Sequence, residues 1–227
     1  MSAPAPSELS PDEKIISVLD ALKDNYGTPE QPERDPVEVL IRGILSQNTS
    51  DTNSGRAYDN LVDKYDTWQQ ISEAPQPDIQ EVISTGGLAR RKARTIRAAL
   101  TWMHEHGTGS LDFLLDMNPG EAEEKLCEIK GIGVKTARLV LLFGYKLPTF
   151  VVDTHVLRVS RRLRLIPEKC GRKKAHRLLN TIVPDDRTYP AHMNIIRHGR
   201  EICRARNPQC RSCCLQQWCV EYPDPAC

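Results

Sequence analysis

The sequence predicts an all-α fold. Apolar residues recur at helical spacing through most of the chain, helix-start signals stand in front of several of these stretches, and no alternating strand pattern repeats. The first helix starts at Ser10 or Pro11, with Ser10 as N-cap, Pro11 at the first helical position and Glu13 completing a capping box. Ile15, Ile16, Val18, Leu19 and Leu22 supply its apolar face. A loop with three prolines spans 28–36, and helices follow at 36–47, 51–65, 78–84 and 90–106. Asn118 and Pro119 open another at about 121–129, again as N-cap and first helical residue. Residues 135–143 are apolar nearly all round, which is the pattern of a helix buried in a core. Phe150-Val151-Val152 resembles a strand but is short and isolated. Helices at 153–165, 173–182 and 191–202 complete the series, and no repeat of 20–50 residues is visible.

At 227 residues the chain can bury one large core or two modest ones. Hydrophobic content of 39% and charged content of 27% are ordinary for a globular protein and exclude global disorder. No apolar run approaches the ~20 residues that span a bilayer, so no membrane partner is expected. The start, Met1 to Ser7, has no basic region followed by an apolar stretch. It is expected to be a short flexible tail rather than a secretion signal, which implies a cytoplasmic, nucleoid-associated location in a bacterium. The net charge of +1 hides a polarity, because residues 1–85 hold 6 basic and 16 acidic side chains and residues 86–227 hold 25 and 14. Segregated basic charge can mark a polyanion-binding face, although a solvated helix surface explains any single run as well.

Four cysteines, Cys203, Cys210, Cys213 and Cys219, form a C-x₆-C-x₂-C-x₅-C run. Without a secretion signal, so dense a cluster points to a soft metal centre and away from disulfides. Cys214 beside Cys213 leaves the register open, with Cys213 preferred because C-x₂-C is a common ligand pair. Cys127, Cys170 and Cys227 are scattered and read as free thiols or core fillers. Four thiolates suit zinc as well as iron–sulfur, though the first spacing is unusual for zinc modules.

Residues 126–137 read helix, tight turn, helix, with Gly131 and Gly133 flanking Ile132. Glycine permits φ > 0 and a close approach by another chain. Amides at the start of the second helix, with its dipole, make a site for a phosphate oxygen. A plain corner between packed helices is the bland alternative. Lys135 sharpens the choice. In the first turn of an apolar helix, the dipole and desolvation both disfavour its ammonium form, and a neutral amine can form a Schiff base with a sugar carbon. Asp153, eighteen residues on, can serve as carboxylate or as simple helix N-cap, and both roles are compatible.

Taken together, Ile129 to Ala137, the run Pro148-Thr149-Phe150-Val151-Val152-Asp153-Thr154-His155-Val156-Leu157-Arg158-Val159, then His198-Gly199-Arg200 and the four cysteines closely resemble the endonuclease III branch of the helix–hairpin–helix DNA glycosylases. The resemblance covers roughly residues 12–220. It implies two helical domains flanking a DNA-binding cleft: a six-helix barrel with the hairpin at 29–147, and a [4Fe–4S] cluster domain made of 1–28 and 148–227. It further implies Lys135 as nucleophile, Asp153 as essential carboxylate, and Cys203, Cys210, Cys213 and Cys219 as cluster ligands. The implied partner is damaged double-stranded DNA, and a monomer is the default. The implied reaction is removal of oxidised pyrimidines by a flipped-base mechanism, followed by β-elimination. Gln47 and Leu88 match the residues that fill the vacated stack. Gly131, Gly133, Thr136 and His155 fall within the matched runs and are expected at the DNA, with Lys92 and Arg206 as phosphate contacts; Arg158, Arg161, Arg162 and Arg164 are explained as well by a solvated helix face. Departures occur at Val134, where the family often has a basic residue, in the stretch after Gln47, and at Ala89-Arg90. They leave the damage range and opposite-base preference open. Two rivals stand beside this reading. An adenine-removing mismatch glycosylase of the same fold lacks the lysine and usually carries a further C-terminal domain, whereas this chain ends eight residues after Cys219. A catalytically silent DNA-binding or redox module is the other.

Overall fold

The computed structural model describes residues 9–107 and 109–222. The tail at 1–7 and Cys227 lie outside the described residues. Among the described residues there is no strand, and there are eleven α-helices: α1 (Pro11–Tyr26), α2 (Pro36–Leu45), α3 (Asp51–Lys64), α4 (Trp68–Glu73), α5 (Gln76–Val82), α6 (Ala89–Gly107), α7 (Pro119–Cys127), α8 (Val134–Leu139), α9 (Thr154–Arg162), α10 (Arg172–Ile182) and α11 (Thr188–Glu201). They divide between two compact units, Pro32–Leu147 and the described part of Met1–Gln31 with Pro148–Cys227.

In the Pro32–Leu147 unit, α2 is the central element. Leu40, Ile41, Ile44 and Leu45 are fully buried, and the helix packs on α3, α6 and α8. Burying each such side chain contributes ~1.5–3 kcal/mol. Asp35 caps α2 through Oδ1, which accepts from Val37 N at 2.9 Å, with Pro36 at the first position. At α7 the expected N-cap Asn118 is in place, and the structure adds a capping box: Asn118 Oδ1 accepts from Gly120 N and Glu121 N, both at 3.0 Å, and Glu121 accepts from Asn118 N. Helix α4 goes beyond the elements expected. It has six residues and buries only Ile71, too short to print a period on the sequence. The single helix expected at 135–143 is in fact an α-helical half and a wider π-turn, Val140–Gly144. The widening ends on Gly144, where a Cβ would stand 2.9 Å from Pro36 Cα. Arg138 of α8 is buried and paired with Glu123 of α7, which ties the two arms of the hairpin together.

The second unit has its own core, drawn from Ile15, Val18, Leu19 and Leu22 of α1 with Val156, Val159, Leu179 and Ile195. The box at Ser10 and Glu13 is present, and such a cap contributes ~1 kcal/mol. Residues 150–152 are buried outside any helix and pair with no strand. Side chains satisfy their backbone instead. Asn180 Oδ1 accepts from Phe150 N at 2.8 Å, His176 Nδ1 donates to Phe150 O at 3.3 Å, and His192 Nδ1 donates to Val151 O at 3.0 Å. Both imidazoles must carry the proton on Nδ1, since a carbonyl only accepts. This grip sets where Asp153 begins α9.

Replacing Asn180 by leucine strips the partner from a buried amide. Unfolding stability in urea should fall by ~1–3 kcal/mol. The exposed neighbour change Thr181→Ala should stay within ~0.5 kcal/mol. Equal small effects would show that the segment is not held by Asn180.

Candidate functional site

The hairpin joins α7 to α8 through residues 128–133. Ile132 N donates to Ile129 O at 2.9 Å, and the buried Ile132 side chain plugs the junction. Gly131 has φ +101°, and a Cβ there would collide with Thr95 Oγ1 of α6. Only glycine lets the turn lie flat on α6 in that conformation. Gly133 is the N-cap of α8, and no side chain caps the helix. The space where its Cβ would point is open. The positive end of α8 is thus presented with no side chain over it. Lys135 stands half-buried in the first turn of this helix.

Two loops of the same unit carry further predicted residues. Gln47 follows α2. Its Nε2 donates to Gly131 O at 3.3 Å and its Oε1 accepts from Arg91 Nη2 at 3.4 Å, so it lies against the hairpin. Asn48 beside it has φ +52°. Leu88 has φ +51° and is 51% exposed. A bulky residue in the left-handed region costs ~1–3 kcal/mol and is normally avoided. Leu88 thus holds an apolar side chain in water on a strained backbone. Arg90, Arg91 and Arg94 after it are exposed.

Lys92 and Thr136 require correction. Lys92, expected on a phosphate, is 2% exposed, and its Nζ donates to Leu45 O and to Gly86 O, each at 2.7 Å. Burial, with a smaller push from Arg91, lowers its pKa below the ordinary lysine value. Its ammonium is spent inside the protein. Thr136 is buried too; its amide donates to Gly133 O at 2.9 Å and its methyl faces Gly43. It builds the hairpin and offers no side chain to DNA.

In the other unit Asp153 is the N-cap of α9. Its Oδ1 accepts from Val156 N at 2.7 Å, and the carboxylate is half-buried. His155 Nδ1 faces Arg158 Nη2 at 3.1 Å. An arginine only donates, so Nδ1 is the acceptor and Nε2 carries the proton. The arginines of α9 are less solvated than a surface face implies. Arg158 donates to Gly199 O at 2.6 Å and to Cys203 O at 2.9 Å, Arg161 to Cys170 O at 2.6 Å, and Arg162 to Arg204 O at 2.8 Å. Arg164, two residues beyond α9, is exposed. Sequence reading missed these carbonyl contacts, because nothing in a run of arginines says which bonds inward. Arg206 is exposed on the loop that follows Cys203.

Cys203, Cys210, Cys213 and Cys219 line one small cavity with Ile202, Pro208 and Gln216, while Cys214 does not line it. Leu215 and Trp218 are buried beneath and anchor the loop. Hydrogen bonds converge on the sulfurs: Arg162 Nη1 on Cys203 Sγ at 3.3 Å, Leu215 N on Cys213 Sγ at 3.3 Å, and His198 Nε2 on Cys213 Sγ at 3.4 Å. Tyr26 Oη lies 3.0 Å from His198 Nδ1. If Tyr26 donates there, the histidine proton sits on Nε2 and points at sulfur. Burial pushes the Cys213 thiol up to about 12 and His198 down to about 4. No three His, Cys, Asp or Glu side chains among the described residues group closely enough for a metal ion. Cys170 is buried and Cys127 half-buried, both away from this cavity.

Residues 41–185 match the family described as HhH-GPD superfamily base excision DNA repair protein. Endonuclease III of Thermotoga maritima is 34% identical over 84% of this chain and 85% of its own length. Endonuclease III of Escherichia coli K12 is 31% identical, over 93% and 96%. Among solved structures, a trapped endonuclease III–DNA covalent intermediate superposes with a TM-score of 0.81 at 29% identity, covering 92% of this chain and 96% of that one.

The hairpin geometry makes Gly131→Ala informative. The new methyl meets Thr95 and the left-handed φ disfavours it, so stability should drop by ~1–3 kcal/mol in urea titration. Adding Thr95→Ala removes the collision but not the backbone cost, and should restore only part of the loss. Full restoration would mean that φ at this turn is not constrained.

Proposed function

We propose a reaction from a firm premise, since the chain belongs to the HhH-GPD superfamily of base excision DNA repair proteins and, within it, to the endonuclease III family. The reaction is bifunctional: removal of an oxidised pyrimidine from duplex DNA and cleavage of the strand at the resulting site. The observation that carries it is Lys135 in the first turn of a helix whose N-terminus follows a glycine hairpin with no capping side chain.

The duplex binds first through its phosphates. The open end of α8 at Gly131 and Gly133 suits a phosphate oxygen beside the lesion. The damaged nucleotide leaves the stack at a cost of a few kcal/mol, least where pairing is already poor. Gln47 and Leu88 take up the vacated space. Lys135 Nζ then attacks C1′; the new N–C bond forms as the glycosidic bond breaks, and the base departs with that electron pair and gains a proton. Opening of the sugar gives an imine. Loss of the C2′ proton sends electrons toward the imine, and the C3′–O bond breaks with the phosphate as leaving group. Asp153 is the group for accepting the lysine proton or for steadying positive charge on the sugar. His155 and Arg206 stand as further DNA contacts in this reading. The protein acts as a monomer in the cytoplasm; no helix among the described residues is long and apolar enough to cross a membrane.

The four cysteines fit a [4Fe–4S] cluster. They share a cavity, they exclude Cys214, and N–H groups already aim at two of the sulfurs. Such a cluster would bind its four thiolates and fix the loop that carries Arg206. Binding would require these thiols to lose their protons, and burial raises the pKa of Cys213 and Cys219, so it would become easier as pH rises.

Duplex DNA carrying thymine glycol, treated with borohydride in the presence of the enzyme, should yield a covalent adduct. Lys135→Ala should abolish it, while Asp153→Asn should lower excision by ~10²–10⁴-fold with DNA binding retained. An adduct that survives loss of Lys135 would remove it as nucleophile; no adduct with the intact enzyme would favour the silent-module reading. The purified protein should be yellow-brown with broad visible absorption, and Cys210→Ala should lose iron. A colourless, zinc-loaded protein prepared without air would overturn the cluster.

A further inference from the structure

Lys92 does more than fill space. Its carbonyl partners lie at the ends of two separate elements. Leu45 closes α2, and Gly86 closes the short turn Ser84–Gly86. Carbonyls at such ends have no partner within their own element. One ammonium satisfies both, at 2.7 Å each, from a side chain that is 2% exposed. The negative ends of both elements favour a cation there.

Each anchored carbonyl sits just before a loop of functional interest. Leu45 is two residues before Gln47, and Gly86 is two before Leu88. Both loops then pass through a left-handed, non-glycine residue, Asn48 at φ +52° and Leu88 at φ +51°. A strained conformation persists only when its surroundings fix the chain on both sides. Downstream, Leu88 is fixed because its carbonyl accepts from Lys92 N at 3.0 Å, the first bond into α6. Upstream, Lys92 Nζ fixes Gly86. The same residue therefore brackets Leu88 through its backbone and its side chain. Gly86 itself must be small, because a Cβ there would stand 3.0 Å from Ala57 Cβ.

We propose that Lys92 is a positioning residue for base extrusion: its ammonium locks the Gln47 loop and the Leu88 loop into one rigid pair, so that both side chains enter the stack together. The proposal rests on the reading above in which Gln47 and Leu88 fill the vacated space. Lys92 touches no substrate and acts through those loops. Placement of groups within about an ångström is worth up to a hundredfold in rate, and two wedges on independent loops would lose that.

The test compares Lys92→Met, Lys92→Arg and Leu88→Ala with the parent enzyme. Excision of thymine glycol is measured from duplex and from single-stranded DNA, where no stack has to be refilled. Spin labels at the exposed positions 48 and 85 report the separation of the two loops. Lys92→Met should lose on the order of tenfold to a hundredfold in kcat on duplex, lose much less on the single strand, and broaden the label distances. Lys92→Arg, which keeps donors for both carbonyls, should recover part of the duplex rate. A merely structural lysine would lower both substrates alike and leave the distances of the folded protein sharp, and that result overturns the proposal. If Leu88→Ala leaves duplex excision unchanged, the wedge reading fails by itself, and the label distances alone decide whether Lys92 locks the loops. Should Lys92→Met not fold, Gly86→Ala displaces the same carbonyl from the other side and is held to the same duplex, single-strand and distance criteria.

Discussion

An all-helical chain has one recurrent problem, the unpaired backbone groups at every helix end. Each end leaves four amides or four carbonyls without an internal partner. Among the described residues, side chains cap the N-termini of six helices. Asn118, Asp35 and Ser10 cap N-termini; Lys92 closes two C-terminal ends; Arg158 reaches the last turn of α11 and the Cys203 carbonyl beyond it. Where a segment outside any helix must run through a core, Asn180, His176 and His192 do the same work. The N-terminus of α8, like those of α5, α10 and α11, has no side-chain cap, and its own cap residue is Gly133. In the proposed function its backbone is what a DNA phosphate would meet.

Whether partners are local or distant explains how much the sequence disclosed. Caps are local, so Ser10 with Glu13 and Asn118 with Pro119 were readable, and the helices they start fall close to where expected. The hairpin was readable because glycine at Gly131 answers a need that no other residue meets, the close approach of Thr95 with φ +101°. The cysteine run was readable because its four thiols fall within seventeen residues, from Cys203 to Cys219. What was hidden depends on partners far along the chain. Arg158 and Arg162 look like a basic surface until the carbonyls of the Cys203 loop are placed beside them.

Lys92 was a different case, because its signal was present and outweighed. It lies among four basic residues, which favours a phosphate reading. Yet it also sits on the stripe that runs through Ile96, Ala99 and Met103, the buried face of α6. Helical position should have carried more weight than residue type. A lysine on an apolar stripe has either a buried acceptor or a large desolvation penalty, and here it has two acceptors.

That position also shows why burial and function are a single fact here. A methionine in place of Lys92 would spare the desolvation of a charge, and buried charges are often outdone in stability by well-packed apolar residues. It would also leave the carbonyls of Leu45 and Gly86 without a donor in a place that water barely reaches, each orphan costing ~1–3 kcal/mol. The two loops would then have to move outward to find solvent. An exposed lysine would leave the loops equally unheld. Only a cation drawn fully inside satisfies both ends at once, so the feature that removes Lys92 from the DNA surface is the one that holds Gln47 and Leu88 in place.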